Sequence, residues 1–381
     1  MDFSHTLTNP VAQVLFGLLL VGFVVLMVVY SLHYFYLGRK AKKVSSRKPG
    51  DNDDLPPVSV VMVSHNESAY LRENLVYILE QDYPDFEVVV VDYLSLDDSQ
   101  FVLKLCRDNY SNLKVVTIKE DVNGFVGRKV PLSIGIQSAR NDVLVFTEVD
   151  CKPVSLQWLR HTVEAYRRPR TNIVLGYNRL VTDKGLLGLL QRYENITYSA
   201  GYLSRAARRH PVTGCGRNLS YRRAFFFSKG ALISHYSIPD GADDIFVNQN
   251  ATGRNTEVSL HNDSFVLTKA PKTFAQWRQM RKHRTATYGR HSFGQKMAGA
   301  ANGIGLLLFY GAAVALLTTS LLPWQIVAGM LLLKFVWQIV SFAQLENAIN
   351  EKSLCWLAPF FEIYFFFSNT ILLLFPLKYK K

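Results

Sequence analysis

A long uncharged apolar stretch near the N-terminus constrains this chain more than any other feature. Residues 11–36 read VAQVLFGLLLVGFVVLMVVYSLHYFY and contain no Asp, Glu, Lys or Arg. A helix of about 20 apolar residues is long enough to cross a bilayer core. A cleavable signal peptide has a basic start and a shorter apolar core, whereas here the only early charge is Asp2. The stretch is therefore predicted to be a retained transmembrane anchor.

Positive charge is concentrated directly after this stretch and dominates the chain as a whole. Residues 38–48 read GRKAKKVSSRK, and 43 Lys and Arg against 30 Asp and Glu give a net charge of +13. Basic residues beside a span favour the cytoplasmic side, so the following residues are expected in the cytoplasm. The segment is either a solvated linker or a contact with lipid headgroups. The excess charge favours anionic partners: nucleic acid, phosphorylated substrates or an acidic membrane surface.

Further apolar runs lie in the C-terminal third, at residues 303–322, 324–342 and 357–377. Only Pro323 separates the first two runs, which indicates a tight hairpin. Lys334 and Gln338 interrupt the second run, and a charge at mid-membrane is costly unless it faces protein or reaches the surface. Two to three transmembrane helices are expected here.

The charges at the C-terminus leave the number of spans open. Three spans that start in the cytoplasm would place Lys378, Lys380 and Lys381 outside, against the positive-inside tendency. Either one segment is re-entrant or interfacial, or the tendency fails in this chain.

Strands and helices alternate between the two apolar ends. Short apolar runs predict strands at 58–64, 87–92, 113–118 and 143–147, and the continuous β-branched run of the first indicates a strand buried on both faces. Helices are predicted between them at 67–81, 96–109 and 127–140. The alternation predicts right-handed βαβ units in an α/β, Rossmann-like fold with a mostly parallel sheet flanked by helices. The four cysteines are scattered without a CxxC spacing, which disfavours a disulfide framework and a cysteine zinc site.

Polar residues follow three of the predicted strands at the points where they end. Asn66 and Glu67 follow the first strand, Asp92 ends the second, and Glu148 and Asp150 follow the fourth. Ligands of open α/β sheets bind beyond the carboxyl ends of the strands, so these side chains predict one composite site. The first strand–helix turn carries neither GxGxxG nor GxxxxGK[ST], which disfavours a dinucleotide site and a P-loop.

The side chains at these strand ends suit phosphate and metal chemistry. Glu148 and Asp150 offer carboxylates at i and i+2 for Mg²⁺ or Mn²⁺ shared with substrate phosphates, or they form a solvated acidic turn. Asp92 either accepts hydrogen bonds from a base or ribose or caps a turn. Lys129, beside Arg128 at the start of the third helix, could reach a phosphate or point into water.

A second acidic pair, Asp243 and Asp244, follows Gly241 in the stretch GADDIFVN. Glycine permits a sharp turn there, and carboxylates at the start of a helix suit its positive dipole end. The pair is either an ordinary helix cap or the source of a general base, which must lie within hydrogen-bond reach of the proton that it removes.

A basic segment, residues 274–290, reads FAQWRQMRKHRTATYGR. Its basic side chains, including Arg281 and Lys282, could neutralise a departing diphosphate, and Trp277 offers an aromatic face beside Gln279. The segment also fits a basic amphipathic helix on the membrane surface, and the two roles are compatible.

An ordered set of motifs resembles those of a known family. VSVVMVSHNES, VVVVDYLSLDDS, GRKVPLSIGIQSARNDVLVFTEVDCKP, TGCGRNLSYRR and GADDIFVNQ occur in this order. They resemble the motifs of the membrane-bound family 2 glycosyltransferases, an inverting GT-A group. That group includes cellulose, chitin and hyaluronan synthases and ceramide or polyprenyl-phosphate glycosyltransferases. The resemblance covers about residues 58–290.

For the donor, the resemblance implies that Asp92 contacts the base of a nucleotide-sugar, with Asn66 and Glu67 near the nucleotide. Glu148 and Asp150 stand at the family's DxD motif, which coordinates the diphosphate and its metal.

For the acceptor, the resemblance places Asp243 at the base position, and a register shifted by one would select Asp244. Residues 279–283 lie where many processive members carry QxxRW. Trp277, Gln279, Arg281 and Lys282 are therefore predicted to serve the acceptor and the diphosphate.

This chain departs from the family pattern at three positions. Tyr93 replaces the second Asp of the nucleotide motif, and Glu148 replaces the first carboxylate of DxD. QxxRW is reduced to QxxKH, so the tryptophan that stacks on an acceptor sugar is missing or is supplied by Trp277. The last departure disfavours a processive polysaccharide synthase.

The expected activity is inverting transfer of a sugar from a nucleotide-sugar, with UDP as the expected nucleotide, to a lipid-linked or membrane-proximal glycan acceptor. Such a reaction belongs to glycolipid or cell-surface polysaccharide biosynthesis, and a divalent cation is the expected cofactor. A processive synthase and an inactive membrane scaffold are the alternatives. No nucleic-acid partner is expected, because the basic residues cluster beside membrane segments.

The predicted organisation begins with an anchor at residues 1–37 and a basic linker at 38–55. A catalytic α/β domain at 56–271, a basic interface helix at 272–298 and a transmembrane region at 299–381 follow. The protein is expected in the bacterial inner membrane, in contact with membrane lipid and with its catalytic domain in the cytoplasm.

Overall fold

The computed structural model describes residues 9–46, 55–120, 127–235 and 241–375. They divide into two compact units. Lys43–Arg290 forms an α/β unit, and His291–Phe375 forms a helical unit together with the residues up to Lys42.

The α/β unit is built on a seven-stranded, mostly parallel sheet. Its strands in chain order are β1 (Val58–Ser64), β2 (Phe86–Tyr93), β3 (Leu113–Ile118), β4 (Val143–Phe146), β6 (Ile173–Leu175), β8 (Leu219–Arg222) and β9 (Thr256–Val258). Their spatial order is β3-β2-β1-β4-β8-β6-β9. The first four strands are mutually parallel, whereas β8 runs antiparallel to both β4 and β6. The strand order therefore reverses next to β1, where α/β sheets bind ligands.

A smaller sheet lies in the same unit. It consists of β5 (Cys151–Pro153), β7 (Asn178–Val181) and β10 (Val266–Lys269), in the order β5-β10-β7. Because β5 begins directly after Asp150, this sheet fixes the chain just beyond the end of β4.

The helices of the α/β unit cover the large sheet and connect its strands. They are α3 (Ser68–Leu79), α4 (Ser99–Asn109), α5 (Lys129–Ser138), α6 (Trp158–Val163), α7 (Leu186–Ala207), α8 (Arg223–Ser228), α9 (Asp244–Asn250) and α10 (Phe274–Ala286).

The valine-rich strands are buried on both faces, which explains their continuous apolar sequence. All seven residues of β1 are buried. Val60 and Met62 belong to one core cluster with Leu75 of α3 and Val102 of α4. Against the opposite face lies α5, whose Gly135 approaches so closely that a Cβ would lie 2.8 Å from Val61. The predicted α/β, Rossmann-like fold is confirmed.

Within the residues that the structure describes, the helical unit contains three helices that are long and apolar enough to cross a membrane. The first runs over Pro10–Ser45, as α1 (Pro10–Tyr30), a π-helical turn (Ser31–Phe35) and α2 (Tyr36–Ser45). The others are α11 (Phe293–Thr319), apolar over Gly299–Thr319, and α12 (Trp324–Ala348). One N-terminal and two C-terminal candidate spans match the prediction, and α13 (Ala358–Leu374) is a shorter apolar helix. The helix through Ser45 occupies part of the segment predicted as a linker.

Lys334, which interrupts an apolar run, is fully buried in the helical unit. Its Nζ lies 2.6 Å from Glu362 Oε2 and 2.8 Å from Gln338 Oε1. Tyr30 donates its hydroxyl to Glu362 at 2.8 Å. The charge is thus paired within protein, as a lysine inside a candidate span requires, and the pair joins α12 to α13.

Candidate active site

Three buried polar side chains lie where adjacent parallel strands end. Ser64 ends β1 and pairs in register with Asp92 of β2, and Thr147 follows β4. Asp92 is fully buried, and neither of its carboxylate oxygens has a hydrogen-bond partner among the described residues. The same holds for the hydroxyls of Ser64 and Thr147. Because buried polar groups are normally paired, this cluster is suited to hydrogen bonds with a bound ligand.

Asn66 connects the loops that follow β1 and β2. Its backbone has a φ of +54°, a conformation that asparagine tolerates better than most residues. Its backbone N–H donates to Ser95 Oγ at 3.0 Å, and its side-chain oxygen accepts the Leu96 N–H at 2.7 Å. His65 Nδ1 donates a hydrogen bond of 2.6 Å to the carbonyl oxygen of Tyr93. Asn66 therefore shapes the rim of the cluster around Asp92.

Glu148 and Asp150 converge on one guanidinium group. Arg217 Nη2 lies 3.2 Å from Glu148 Oε2 and 3.0 Å from Asp150 Oδ2. Arg128 joins the cluster from the start of α5, with Nη1 3.2 Å from Glu148 and Nη2 3.1 Å from Glu67. Burial raises the pKa of Glu67, and the positive charge of Arg128 opposes that shift.

This carboxylate pair fits a hard divalent cation. Both groups offer oxygen ligands, which Mg²⁺ and Mn²⁺ prefer, and both already contact the same positively charged nitrogen. The position on the loop between β4 and β5 leaves these side chains partly exposed, at 32% for Glu148 and 19% for Asp150.

Asp243 caps α9 and is held by two backbone N–H groups. Its Oδ1 accepts from Asp244 N at 2.8 Å, and its Oδ2 accepts from Gly216 N at 2.6 Å. The turn before it uses Gly241 at a φ of +92°. Burial raises the pKa of Asp243, and the neighbouring charge of Asp244 raises it further. A carboxylate with a raised pKa is a stronger base than an ordinary aspartate.

Asp244 has a different environment, although it is the next residue. Its two carboxylate oxygens accept hydrogen bonds from the hydroxyls of Thr213 and Thr287. Asp244 thereby fixes the segment before the Gly216 turn and the end of α10. This arrangement favours a positioning role for Asp244 and leaves Asp243 as the stronger candidate for the base.

The predicted residues on α10 divide into a buried and an exposed set. Trp277 and Arg281 are 0% and 4% exposed, and each donates to Glu194 of α7 at 2.7 Å. Gln279 is exposed and contacts His283, and Lys282 is half-buried. The structure thus brings Trp277 and Arg281 to Glu194. The acceptor and diphosphate roles of Trp277, Gln279, Arg281 and Lys282 stay predictions.

Lys129 is 3% exposed at the start of α5, next to Arg128. The sequence did not single out Gly216 and Arg217, nor the hydroxyls of Ser64 and Thr147. The motif that contains Gly216 and Arg217, TGCGRNLSYRR, was recognised, but nothing in its spacing distinguishes Arg217 from the other arginines. Arg217 reaches Glu148 and Asp150 because the turn that begins at Gly216 leads into β8, and β8 pairs with β4.

A second cluster of potential metal ligands consists of His161, His261 and Asp263. The two imidazole rings are stacked, with centroids 3.6 Å apart and planes inclined by 6°. A metal lies close to the plane of each imidazole that binds it, and parallel stacked rings cannot share such a position. His261 Nδ1 also accepts the Asp263 N–H at 3.2 Å. The geometry therefore favours a packed histidine pair. Burial, followed by the charge of His261, lowers the pKa of His161 to about 4.

Comparison with known proteins identifies a matching family and a similar fold. Residues 59–227 match the family described as "Glycosyl transferase family 2". Poly-beta-1,6-N-acetyl-D-glucosamine synthase of Staphylococcus epidermidis is 22% identical over 168 residues, which cover 44% of this chain and 39% of that protein.

A second relative is a dolichyl N-acetyl-alpha-D-glucosaminyl phosphate 3-beta-D-2,3-diacetamido-2,3-dideoxy-beta-D-glucuronosyltransferase of Methanococcus voltae. It is 22% identical over 228 residues, which cover 58% of this chain and 66% of that protein. The chain thus spans less than two thirds of the length of these curated relatives.

Among solved structures, a mannosyltransferase from Pyrobaculum calidifontis in complex with GDP-Man and Mn²⁺ has a similar fold. The TM-score is 0.53 at 19% identity, over 86% of this chain and 97% of that chain. Residues 59–227 thus match glycosyl transferase family 2, the α/β unit that contains them has a GT-A fold, and the resemblance described above is confirmed.

Proposed function

We propose that this chain is an inverting, membrane-embedded glycosyltransferase that transfers a sugar from a nucleotide-sugar to a lipid-linked or glycan acceptor. The observation that carries the proposal is the convergence of two carboxylate sites on one turn. Gly216 holds Asp243, and the adjacent Arg217 holds Glu148 and Asp150. A catalytic base and a diphosphate site must lie close together for such a transfer.

The donor nucleotide is expected beyond the ends of β1, β2 and β4. Asp92, Ser64 and Thr147 would supply hydrogen bonds to its base and ribose, because their polar atoms are buried and have no partner in the described part of the chain. Glu148 and Asp150 would hold Mg²⁺ or Mn²⁺. A bound cation would neutralise negative charge on the diphosphate. UDP is the expected nucleotide, while the similar fold from Pyrobaculum calidifontis was solved with GDP-Man and Mn²⁺.

Asp243 would act as the general base. An acceptor hydroxyl attacks the anomeric carbon from the side opposite the diphosphate, the bond to the diphosphate oxygen breaks, and the hydroxyl proton passes to Asp243. The sugar is transferred with inversion of its anomeric configuration. Arg128 and Arg217 place positive charge beside the leaving group, where it stabilises the negative charge that develops.

The acceptor we favour is lipid-linked or membrane-proximal and receives a single sugar. Trp277 is buried and donates its indole N–H to Glu194. It therefore does not offer the aromatic surface on which a processive enzyme is expected to stack the acceptor sugar. The alternative is a processive synthase, which the name of the Staphylococcus epidermidis relative raises. The length of the product separates the two, because a ladder of oligomers would identify a polymerase.

We place the protein in the bacterial inner membrane, with the α/β unit in the cytoplasm and in contact with membrane lipid. The candidate spans and the basic segment after the first of them support this location.

A screen of nucleotide-sugars against the purified full chain tests the function. Thermal unfolding with and without Mn²⁺ identifies the donor, because a ligand that binds the native state raises its stability. Release of the nucleoside diphosphate is then measured with membrane lipid extract as acceptor. We expect release that EDTA abolishes. An inactive scaffold would show neither stabilisation nor release with any nucleotide-sugar.

A further inference from the structure

Arg217 contacts both carboxylates of the candidate cation pair through a single nitrogen atom. Its Nη2 lies 3.2 Å from Glu148 and 3.0 Å from Asp150, and its side chain is 26% exposed. Its Nε is buried and has no hydrogen-bond partner in the described ranges. The guanidinium therefore provides positive charge where the carboxylates converge, and it keeps an unused donor.

The charges around this point nearly cancel in the donor-free protein. Three carboxylates, those of Glu67, Glu148 and Asp150, face the guanidiniums of Arg128 and Arg217. Three negative and two positive charges leave a net charge of −1. A divalent cation would change this to +1 and would repel a guanidinium that contacts the same oxygens. A diphosphate would restore the balance and would give that guanidinium a new acceptor.

We propose that Arg217 exchanges partners when the donor binds. It pairs with Glu148 and Asp150 in the donor-free protein, and it pairs with the donor's diphosphate once these carboxylates hold the divalent cation. This inference rests on the proposed function. Arg217 competes with the cation for Glu148 and Asp150, and it binds the nucleotide once the cation is in place.

The backbone around Arg217 is anchored, so the exchange needs only its side chain to turn. Asn218 is 1% exposed, and its Nδ2 donates to the carbonyl oxygens of Tyr177 and Ser264 at 2.9 and 2.8 Å. Gly216 on the other side donates to Asp243. Arg217 can therefore change partners while Gly216 keeps the candidate base in place.

The test uses Arg217→Gln in the full chain and measures two affinities by calorimetry. Without nucleotide, the variant should bind Mn²⁺ about three- to tenfold more tightly, because a competing charge has been removed. In saturating Mn²⁺ it should bind UDP about tenfold more weakly, because a charge-assisted contact has been lost. If the wild type binds GDP and not UDP, GDP is the probe. Arg140→Gln is the matched control, since it removes the same charge from an exposed pair with Asp85 and should change neither affinity.

Unchanged or weaker Mn²⁺ binding by Arg217→Gln would overturn the competing role, and unchanged nucleotide binding would overturn the exchange. Arg217→Lys keeps the positive charge and provides the same test if the glutamine variant does not fold. Its Mn²⁺ affinity should stay within about twofold of the wild type, and its nucleotide affinity should fall, because lysine lacks the planar fork of arginine. Tighter Mn²⁺ binding by the lysine variant or unchanged nucleotide binding would contradict the exchange. A wild type that binds neither Mn²⁺ nor a nucleoside diphosphate would instead refute the proposed function.

Discussion

The Gly216 N–H donates to Asp243 Oδ2 over 2.6 Å, although the two residues lie 27 positions apart. The next residue, Arg217, contacts Glu148 and Asp150. One short turn thereby sets the position of the candidate base relative to the candidate diphosphate site. The relationship explains why the two acidic motifs, far apart in sequence, can serve one reaction.

Asp243→Asn should fold and bind the nucleoside diphosphate but lose about 10²- to 10⁴-fold in turnover, because the amide cannot accept the acceptor's proton. Sugar transfer and nucleotide binding are measured in parallel. Asp244→Asn should retain more activity, because its carboxylate contacts two threonine hydroxyls and holds the surrounding segments. If Asp244→Asn is inactive while Asp243→Asn is not, Asp244 is the base.

Gly216→Ala should lower turnover by about tenfold with little change in nucleotide affinity. The added Cβ would lie 3.1 Å from Asp243 Oδ2, so the carboxylate must move by a few tenths of an ångström. Gly201→Ala on α7 is the control, because its Cβ would meet nothing within 4 Å. Equal activities of the two variants would show that the position of Asp243 is not critical.

Glu194→Gln should destabilise the α/β unit by about 3 kcal/mol, because it removes the carboxylate charge from a buried ion pair with Arg281. Thermal unfolding in detergent measures the change. Glu73→Gln breaks an exposed pair with Lys269 and should leave the melting temperature unchanged. Comparable effects of the two substitutions would mean that the buried pair does not anchor α10.

Stability should fall on acidification because His161 stays neutral in the folded protein. Its pKa is lowered from 6.5 to about 4, so the unfolded chain takes up the proton first as the pH falls below 6.5. Between pH 7 and pH 5 this removes about 2 kcal/mol, and the loss is complete below pH 4. His161→Gln should show a flatter melting profile over this range, and His210→Gln, at an exposed position, should follow the wild type. Parallel profiles for all three proteins would exclude His161 as the cause.

The elements that the sequence predicts best are those with a strong local pattern. The predicted bounds of β1 and β3 match the structure, because runs rich in β-branched residues mark them. All of β1 is buried, whereas only Leu113 is buried in β3. The third helix begins at Lys129 instead of residue 127, since Gly127 has a φ of +117°. Strands β6, β8 and β9 have only three or four residues, which is too short for the alternation of apolar and polar residues that would predict a strand.

Within the candidate site, the sequence places the carboxylates of Asp92, Glu148 and Asp150 at strand ends, where the structure has them. It could not reveal Arg217, because its contacts depend on β8 pairing with β4. It also could not show that Glu194, 87 positions before Arg281, buries that arginine. Contacts of this kind follow from tertiary packing and leave no local pattern.

The most direct test of the proposed donor site is the calorimetric titration of UDP or GDP into the full chain and its Asp150→Asn variant, with Mn²⁺. An exposed substitution, Asp85→Asn, serves as the control. The wild type and the control should bind one of the nucleotides only in the presence of Mn²⁺, and Asp150→Asn should lose at least about tenfold in affinity. Equal, Mn²⁺-independent binding by all three proteins would contradict a metal-dependent diphosphate site at Glu148 and Asp150.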